Sequence, residues 1–568
     1  MFFYNFATVN HITMKKTISL LLGLAICVSA IARISFTPNP ALPLPENVKI
    51  YYNPAEDLAS RFSFIAPVWF IWTDGPCTVP QAEALADDMG LNGPLKDYAP
   101  MVVVFSPADG KAYDKIVDFE VYKALFEKIR VFTNLKIVGI GSGATFVNEC
   151  IAPVAHEVAG IFCYGGNAAR KISGTATVPA YLAGKNAAKA AKAYNARNKE
   201  KAQQEPLLRV IVNRNPVSFK EAFTDAWDKI LSANYRCSNL GHTGYMGGNL
   251  GQYGDYELEP YLMPERIGVE RKMVEQSLFT YNKSEHKFLW YEYVPDSVKD
   301  APEKTVPLVV LLHGHNNDPR TQAETTGFVE LGAKEGFIVA ELEWQGRAGY
   351  EYMGDHGIEA TVRAILAKYP QLDPSRVYAE GLSAGGFTAT ALGITKSHLF
   401  AAVGAHSGGL YSEGLNLGFP FCNPSALRAE ATQKRGLVTT PYFSICGTAD
   451  EAVAFNNPDS PAGNMITDAW RLYQTLNGLE VSGPTDLDRW PLFGLPLENC
   501  SRIETVKGHA METGDLCDPE GRPLIRIVAV ENFGHWNFVP GTALMWEFFR
   551  HWSRDPSTLR SVYDGQIR

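Results

Sequence analysis

Gly381-Leu-Ser-Ala-Gly385 fits the pattern G-x-S-x-G. It lies between a β-rich run and a helix-forming run. There a sharp turn lifts a serine hydroxyl clear of the backbone, and the flanking glycines remove the steric clash. A serine attacks a carbonyl carbon well only when a base takes its proton, so the chain must also supply a base and a group to orient it. Asp450 closes Cys446-Gly-Thr-Ala-Asp450, directly after the apolar run 442–445, and Glu451 is its only close competitor. His535 lies in Asn532-Phe-Gly-His-Trp536, directly after a run ending at Val530. In this arrangement Asp450 orients His535 and stabilises its charged form, while His535 shuttles the proton. The oxyanion of the tetrahedral intermediate needs donors as well. The backbone N–H groups of Ala384 and of His315, in Leu312-His-Gly-His-Asn316, are the candidates; one such donor contributes about 3–4 kcal/mol. The His313 ring ends a buried run and reads as structural. Trp536, beside the base, and Trp490 are candidate contacts for an acyl or aryl group.

These residues need a scaffold that brings distant segments to one edge. Apolar runs at 307–312, 336–340, 376–380, 400–403, 441–445 and 525–530 alternate with helical patterns. That alternation predicts βαβ units, right-handed crossovers and a doubly wound parallel sheet. The region 60–240 repeats the grammar. Pro67-Val-Trp-Phe-Ile-Trp-Thr-Asp-Gly75 takes the place of 307–314, with Asp74-Gly75 standing for His-Gly. The stretch 101–105 takes the place of 337–341, and Lys136-Ile-Val-Gly-Ile-Gly-Ser-Gly143 that of the run into Gly385. Gly141 precedes His156 by 15 residues, as Ser383 precedes His398.

The first copy lacks the chemistry. Gly141 replaces the nucleophile, and Ser142 is one place late. Gly184-Lys-Asn-Ala187 ends in alanine at the acid position, Asn213-Arg-Asn-Pro216 carries no histidine, and His242 lies too far along. The expected organisation is a non-catalytic domain at 33–265 and a catalytic one at 266–568. A hairpin of 277–281 and 288–294 opens the second domain. The stretch 456–523, between acid and base, is longer than a plain crossover and is expected to form a lid or pocket wall.

Val377-Tyr-Ala-Glu-Gly-Leu-Ser-Ala-Gly-Gly386 and Phe400-Ala-Ala-Val-Gly-Ala-His-Ser-Gly408 resemble the poly(3-hydroxybutyrate) depolymerase-like and feruloyl-esterase-like branch of the α/β hydrolases. The Leu312-His-Gly loop, Gly447-Thr-Ala-Asp-x-x-Val453 and the Gly534-His ending agree with it. The likeness covers roughly 275–555. It implies an α/β-hydrolase fold for that region; with the repeated grammar of 60–240, the expected fold class is α/β, two tandem α/β-hydrolase-like doubly wound sheets, the N-terminal one degenerate. It also implies an extracellular or periplasmic Ser–Asp–His carboxylesterase that needs no cofactor, and leaves polyester, feruloyl-polysaccharide and acetyl-polysaccharide substrates open. Two rivals remain: a prolyl-oligopeptidase-type peptidase, disfavoured by the α/β character of 60–240, and an inactive hydrolase-fold binding or scaffold protein.

The rest of the chain agrees with export and with a small-molecule or polymeric ester substrate. A net charge of −9 argues against nucleic-acid binding. Lys15-Lys16, an apolar run at 18–30 and Ala30-Ile-Ala32 read as a signal peptide over 1–32, with Met14 an alternative start. No later stretch reaches membrane-spanning length. Of the 9 cysteines, Cys27 falls in the leader. The others permit disulfides, with Cys500–Cys517 the first expectation, and show no spacing that would hold zinc.

Overall fold

Near-continuous apolar runs such as Met101-Val-Val-Val-Phe105 can be satisfied only by strands covered on both faces. Two such sheets form. The computed structural model describes residues 34–565 apart from 35, 39–48, 53–64, 108–111, 130–133, 169–170, 239–255, 282–283, 347–349, 416–417, 451, 454–464 and 506–507. The expected signal peptide, His242 and Glu451 lie outside the described residues.

The first sheet contains β1 (Thr37–Pro38), β2 (Lys49–Tyr52), β3 (Val68–Trp72), β4 (Met101–Ser106), β5 (Leu135–Ile140), β6 (Val158–Tyr164), β7 (Ala180–Ala183) and β8 (Val210–Asn213). Their spatial order is β1-β2-β4-β3-β5-β6-β7-β8. After a separate ladder of β9 (Asn234–Ser238) and β10 (Tyr256–Pro260), the second sheet begins. It comprises β11 (Val269–Tyr281), β12 (Ser284–Pro295), β13 (Val306–Leu312), β14 (Ile338–Leu342), β15 (Leu372–Leu382), β16 (Ala402–His406), β17 (Tyr442–Gly447), β18 (Glu498–Ile503), β19 (Met511–Cys517) and β20 (Pro523–Val530). Its order is β11-β12-β14-β13-β15-β16-β17-β20-β19-β18.

The two sheets therefore run in the same sequence: two antiparallel strands, a transposed pair, then a parallel run. In each, the chain reverses direction across the sheet at the central pair, β3/β5 or β13/β15, which is where a crevice opens at the carboxyl ends of the strands. The registers coincide as well. Trp72 pairs with Gly139, and Leu312 with Gly381, each glycine two residues before its elbow position. This register corrects one expectation by a residue: Thr73-Asp74, not Asp74-Gly75, stands in the place of His313-Gly314.

Three further expectations change. The opening hairpin extends back to Val269, because the consecutive charges Glu270-Arg-Lys272 hide an edge strand. The stretch between acid and base supplies the helix Met465–Leu476 and then β18 and β19, which lengthen the sheet beyond β20; in its described part these strands extend the sheet edge. The Cys500–Cys517 bridge is not formed. Cys517 pairs with Pro523, while Cys500 lies against Gly514, and all seven cysteines with described side chains are free thiols.

One apolar core is shared by both sheets. Trp69, Ile71 and Val102 of the first belong to the same buried cluster as Val309, Leu311 and Val339 of the second. Buried charges reinforce this junction. Glu324, in the helix Pro319–Thr325, accepts from Arg271 (2.7 Å) and Arg320 (2.9 Å), and from the Tyr293 hydroxyl (3.1 Å). Arg320 also donates to the Asp97 carbonyl of the first body at 3.2 Å, and Arg271 lies 5.7 Å from the centre of the Tyr98 ring. Burial works to raise the Glu324 pKa, but the two guanidiniums outweigh it and hold the carboxyl below its usual range. Removing one member leaves uncompensated buried charge. Glu324→Gln is expected to lower the unfolding free energy by about 3–5 kcal/mol in urea titration; a change within about 0.5 kcal/mol would show that the cluster is not an anchor.

Candidate active site

The elbow is built by close packing. Ser383 follows β15 with φ 54° and ψ −121° and starts the helix Ala384–Thr395. A non-glycine residue there costs on the order of 1–3 kcal/mol, so the surroundings must impose it. They do so through backbone contact. A Cβ on Gly385 would overlap the Leu312 carbonyl, and one on Gly381 would overlap Gly385 itself. The Ser383 N–H donates to the His406 carbonyl at 2.9 Å, tying the turn to β16.

The loops that carry Asp450 and His535 are latched to each other. Thr448 N–H donates to Val530 O (2.9 Å) and Ala449 N–H to Phe533 O (3.0 Å). Asn532 N–H donates to the Thr448 hydroxyl at 2.9 Å, and Gly447 leaves no room for a Cβ against the Phe533 carbonyl. Between these loops His535 Nδ1 lies 2.8 Å from Asp450 Oδ2. The other Asp450 oxygen accepts from the N–H groups of Ala452 (2.9 Å) and Val453 (2.8 Å). Burial would raise the Asp450 pKa, but the charge and hydrogen bond of His535, with Val453 and Ser407, bring it below the ordinary value. An ionised Asp450 only accepts, so Nδ1 carries the proton and Nε2 is left as the acceptor.

Sequence reasoning missed His406 and Ser407. His406 Nε2 accepts from the Phe538 N–H at 3.0 Å, and the Ser407 hydroxyl lies 3.5 Å from its Nδ1. Burial first, then the nearby charge of His535, pushes the His406 pKa down to about 3, so this imidazole stays neutral. The end of β16 thus touches the elbow through a carbonyl, the base loop through an imidazole, and Asp450 through Ser407. The signal was present in His406-Ser-Gly408, but only as a motif without a role.

The other predicted residues fall in different places. Gly314 sits near the Leu382 carbonyl, which brings the loop carrying the exposed His315 beside the elbow. Asn316, at φ 58°, is held by the Gln345 side chain at 2.8 Å. The His313 ring is fully buried, with Nδ1 2.9 Å from the Gly314 carbonyl and Nε2 3.5 Å from Glu343, as a structural residue would be. Trp536 is 1% exposed and packed in the core, so it is no substrate contact: the turn after His535 points it inward. Trp490 stacks on the Arg489 guanidinium at 4.3 Å in the 486–494 turn. The aromatic residues beside His315 are instead Phe419, 6.2 Å from its ring, and Tyr352, which stacks on Phe419 and is 38% exposed. Among the described residues no group of three or more His, Cys, Asp or Glu is placed to hold a metal ion, and no helix is long and apolar enough to cross a membrane.

A doubly wound sheet whose central strand runs into a serine elbow, with a His–Asp pair in the loops after two later strands, is the α/β-hydrolase fold. Residues 291–460 match the family model described as Esterase PHB depolymerase. The matched region carries the serine elbow and Asp450. Among solved structures it is similar to an acetyl xylan esterase from Aspergillus awamori (16% identity, 50% of this chain and 99% of that one, TM-score 0.33). A ferulic acid esterase gives 20% identity over 37% of this chain and 88% of that one, with TM-score 0.28. An acylaminoacyl peptidase from Pyrococcus horikoshii gives 15% identity and TM-score 0.28, and less than half its length (42%) is covered, as is 42% of this chain. No curated protein sequence matches.

Just before the elbow, Glu380 is buried and accepts from Gln322 at 3.0 Å. Burial raises its pKa from 4.5 to about 8. Because the folded state holds this proton more tightly than the unfolded chain, the contribution of Glu380 to stability is fully present below 4.5. That contribution is lost as pH rises towards 8, by up to about 1.4 kcal/mol per pH unit. Glu380→Gln is expected to flatten that decline in denaturant titrations across the window. An unchanged slope would place the proton elsewhere.

Proposed function

We propose that Ser383, Asp450 and His535 form the catalytic triad of an exported serine esterase. The observation that carries this reading is one architecture holding a serine on a positive-φ elbow and a buried His535–Asp450 pair 2.8 Å apart. Ser383 Oγ attacks the acyl carbon as its proton passes to His535 Nε2. The carbonyl oxygen becomes an oxyanion, for which the N–H groups of Ala384 and His315 are the donors. His535 then protonates the leaving alkoxide, giving the acyl-enzyme and free alcohol. Water, deprotonated by the same nitrogen, releases the carboxylic acid and restores Ser383.

The substrate we infer is an ester on a polysaccharide or an oligomer, of the feruloyl, acetyl or hydroxyalkanoate class. Phe419 and Tyr352 supply an aromatic wall beside the His315 loop. The export reading rests on the leader sequence at 1–32, and the exclusion of nucleic acid on the negative net charge. We further take 33–265 as a catalytically silent copy of the hydrolase unit at 266–568. The shared strand order and the dihedrals of Gly141 (φ 53°, ψ −112°), which match those of Ser383, support this division.

Ser383→Ala is expected to abolish p-nitrophenyl acetate hydrolysis, and Asp450→Asn to lower kcat by about 10⁴ with the fold retained. Full activity in either variant, or peptide hydrolysis exceeding ester hydrolysis in the wild type, would overturn the assignment. Comparing feruloylated and acetylated oligosaccharides with hydroxybutyrate oligomers, in the wild type and in Tyr352→Ala, resolves the acyl group.

A further inference from the structure

The first body has its own crevice, at the place where the second carries its serine. It is a cavity of about 470 Å³ over Gly141, Ser142 and Gly166, within the size range of small-molecule sites and at the strand reversal of its sheet. We propose that this crevice binds a neutral, hydroxyl-rich ligand of sugar size, and that Asp74 closes it to acyl transfer.

Asp74 decides the chemistry. Its Oδ1 accepts from the Ser142 N–H at 2.8 Å. That N–H follows Gly141 as the Ala384 N–H follows Ser383, so the anion seat of the elbow is filled by a resident carboxylate. A Cβ on Gly141 would run into the same carboxylate, so the nucleophile's place is taken too. The room left over is polar and balanced in charge. Lys115 and Glu149, on one wall, neutralise each other at 2.6 Å. Asp74 retains its second oxygen, and Ser142 Oγ accepts from the Gly75 N–H at 3.0 Å while keeping its own proton to donate. Asn167 and the exposed Lys185 complete the ring, and among the described residues no acidic side chain pairs with Lys185. The half-buried Tyr113 contributes a ring at the margin.

A hydroxyl both donates and accepts, so vicinal hydroxyls suit this mixture of groups. An anion would meet Asp74 and Glu149, and an apolar ligand would leave the polar groups unpaired at a cost. The inference stands independently of the esterase reading, because it uses no residue of the second body.

The test uses the full-length Ser383→Ala protein, so that turnover cannot intervene, titrated calorimetrically with xylobiose, cellobiose, maltose and, as the charged control, digalacturonate. Saturable binding of at least one neutral disaccharide is expected, weakened about tenfold or more by Lys185→Ala and by Asp74→Ala. Lys185 is exposed, so its variant folds even if the Asp74 variant does not. In the Ser383 background, Lys185→Ala should leave p-nitrophenyl acetate hydrolysis unchanged, which separates this crevice from the triad. Absence of saturable binding to any neutral sugar, preference for digalacturonate, or binding insensitive to Lys185→Ala overturns the proposal.

Discussion

The close approach of Gly385 to the Leu312 carbonyl is the constraint on which the second body depends. It forces the chain after β15 to turn sharply, and Ser383 is the residue left in the strained conformation. Everything around it reads as support for that strain. The β16 end takes the Ser383 N–H, and the neutral imidazole of His406 takes the Phe538 N–H. The Gly447 contact brings the acid loop against the base loop. A strained serine held by backbone contacts on several sides would need no reorganisation to act as the proposed nucleophile.

The same constraint appears in the first body with a glycine in place of the serine. Gly143 presses on the Trp72 carbonyl as Gly385 presses on Leu312, and Gly141 takes the positive φ. Glycine holds that conformation without the strain a serine bears. The turn therefore persists as architecture, at little energetic cost, while a carboxylate from the end of β3 fills the space above it. The two bodies also share one apolar core and a buried Arg–Glu–Arg cluster. The first body thus bears on the helix that follows the His315 loop.

Much of this was legible in the sequence because parallel strands buried on both faces leave unmistakable apolar runs, and because elbow glycines are required by contact rather than by preference. The runs at 307–312 and 525–530 match β13 and β20 closely. Elements without such runs were harder. β18 (Glu498–Ile503) is exposed and polar, and the first half of β11 carries three consecutive charges, Glu270-Arg-Lys272, so neither contrasts with a loop. Trp536 shows a second limit: its place beside His535 in sequence gave no information about which way a turn would point its ring. The one-residue offset at Asp74 shows a third, since only strand register relates two loops of unequal length, and that residue governs the first crevice.

The central claim is that one chain holds two elbows and a single nucleophile. Reaction of the folded full-length protein with a fluorophosphonate, followed by mass-spectrometric mapping of the adduct, tests it most directly. The account predicts one equivalent of label, confined to the peptide containing Ser383, with Ser142 unmodified. Label on Ser142, or no label on folded protein that is otherwise intact, would contradict it.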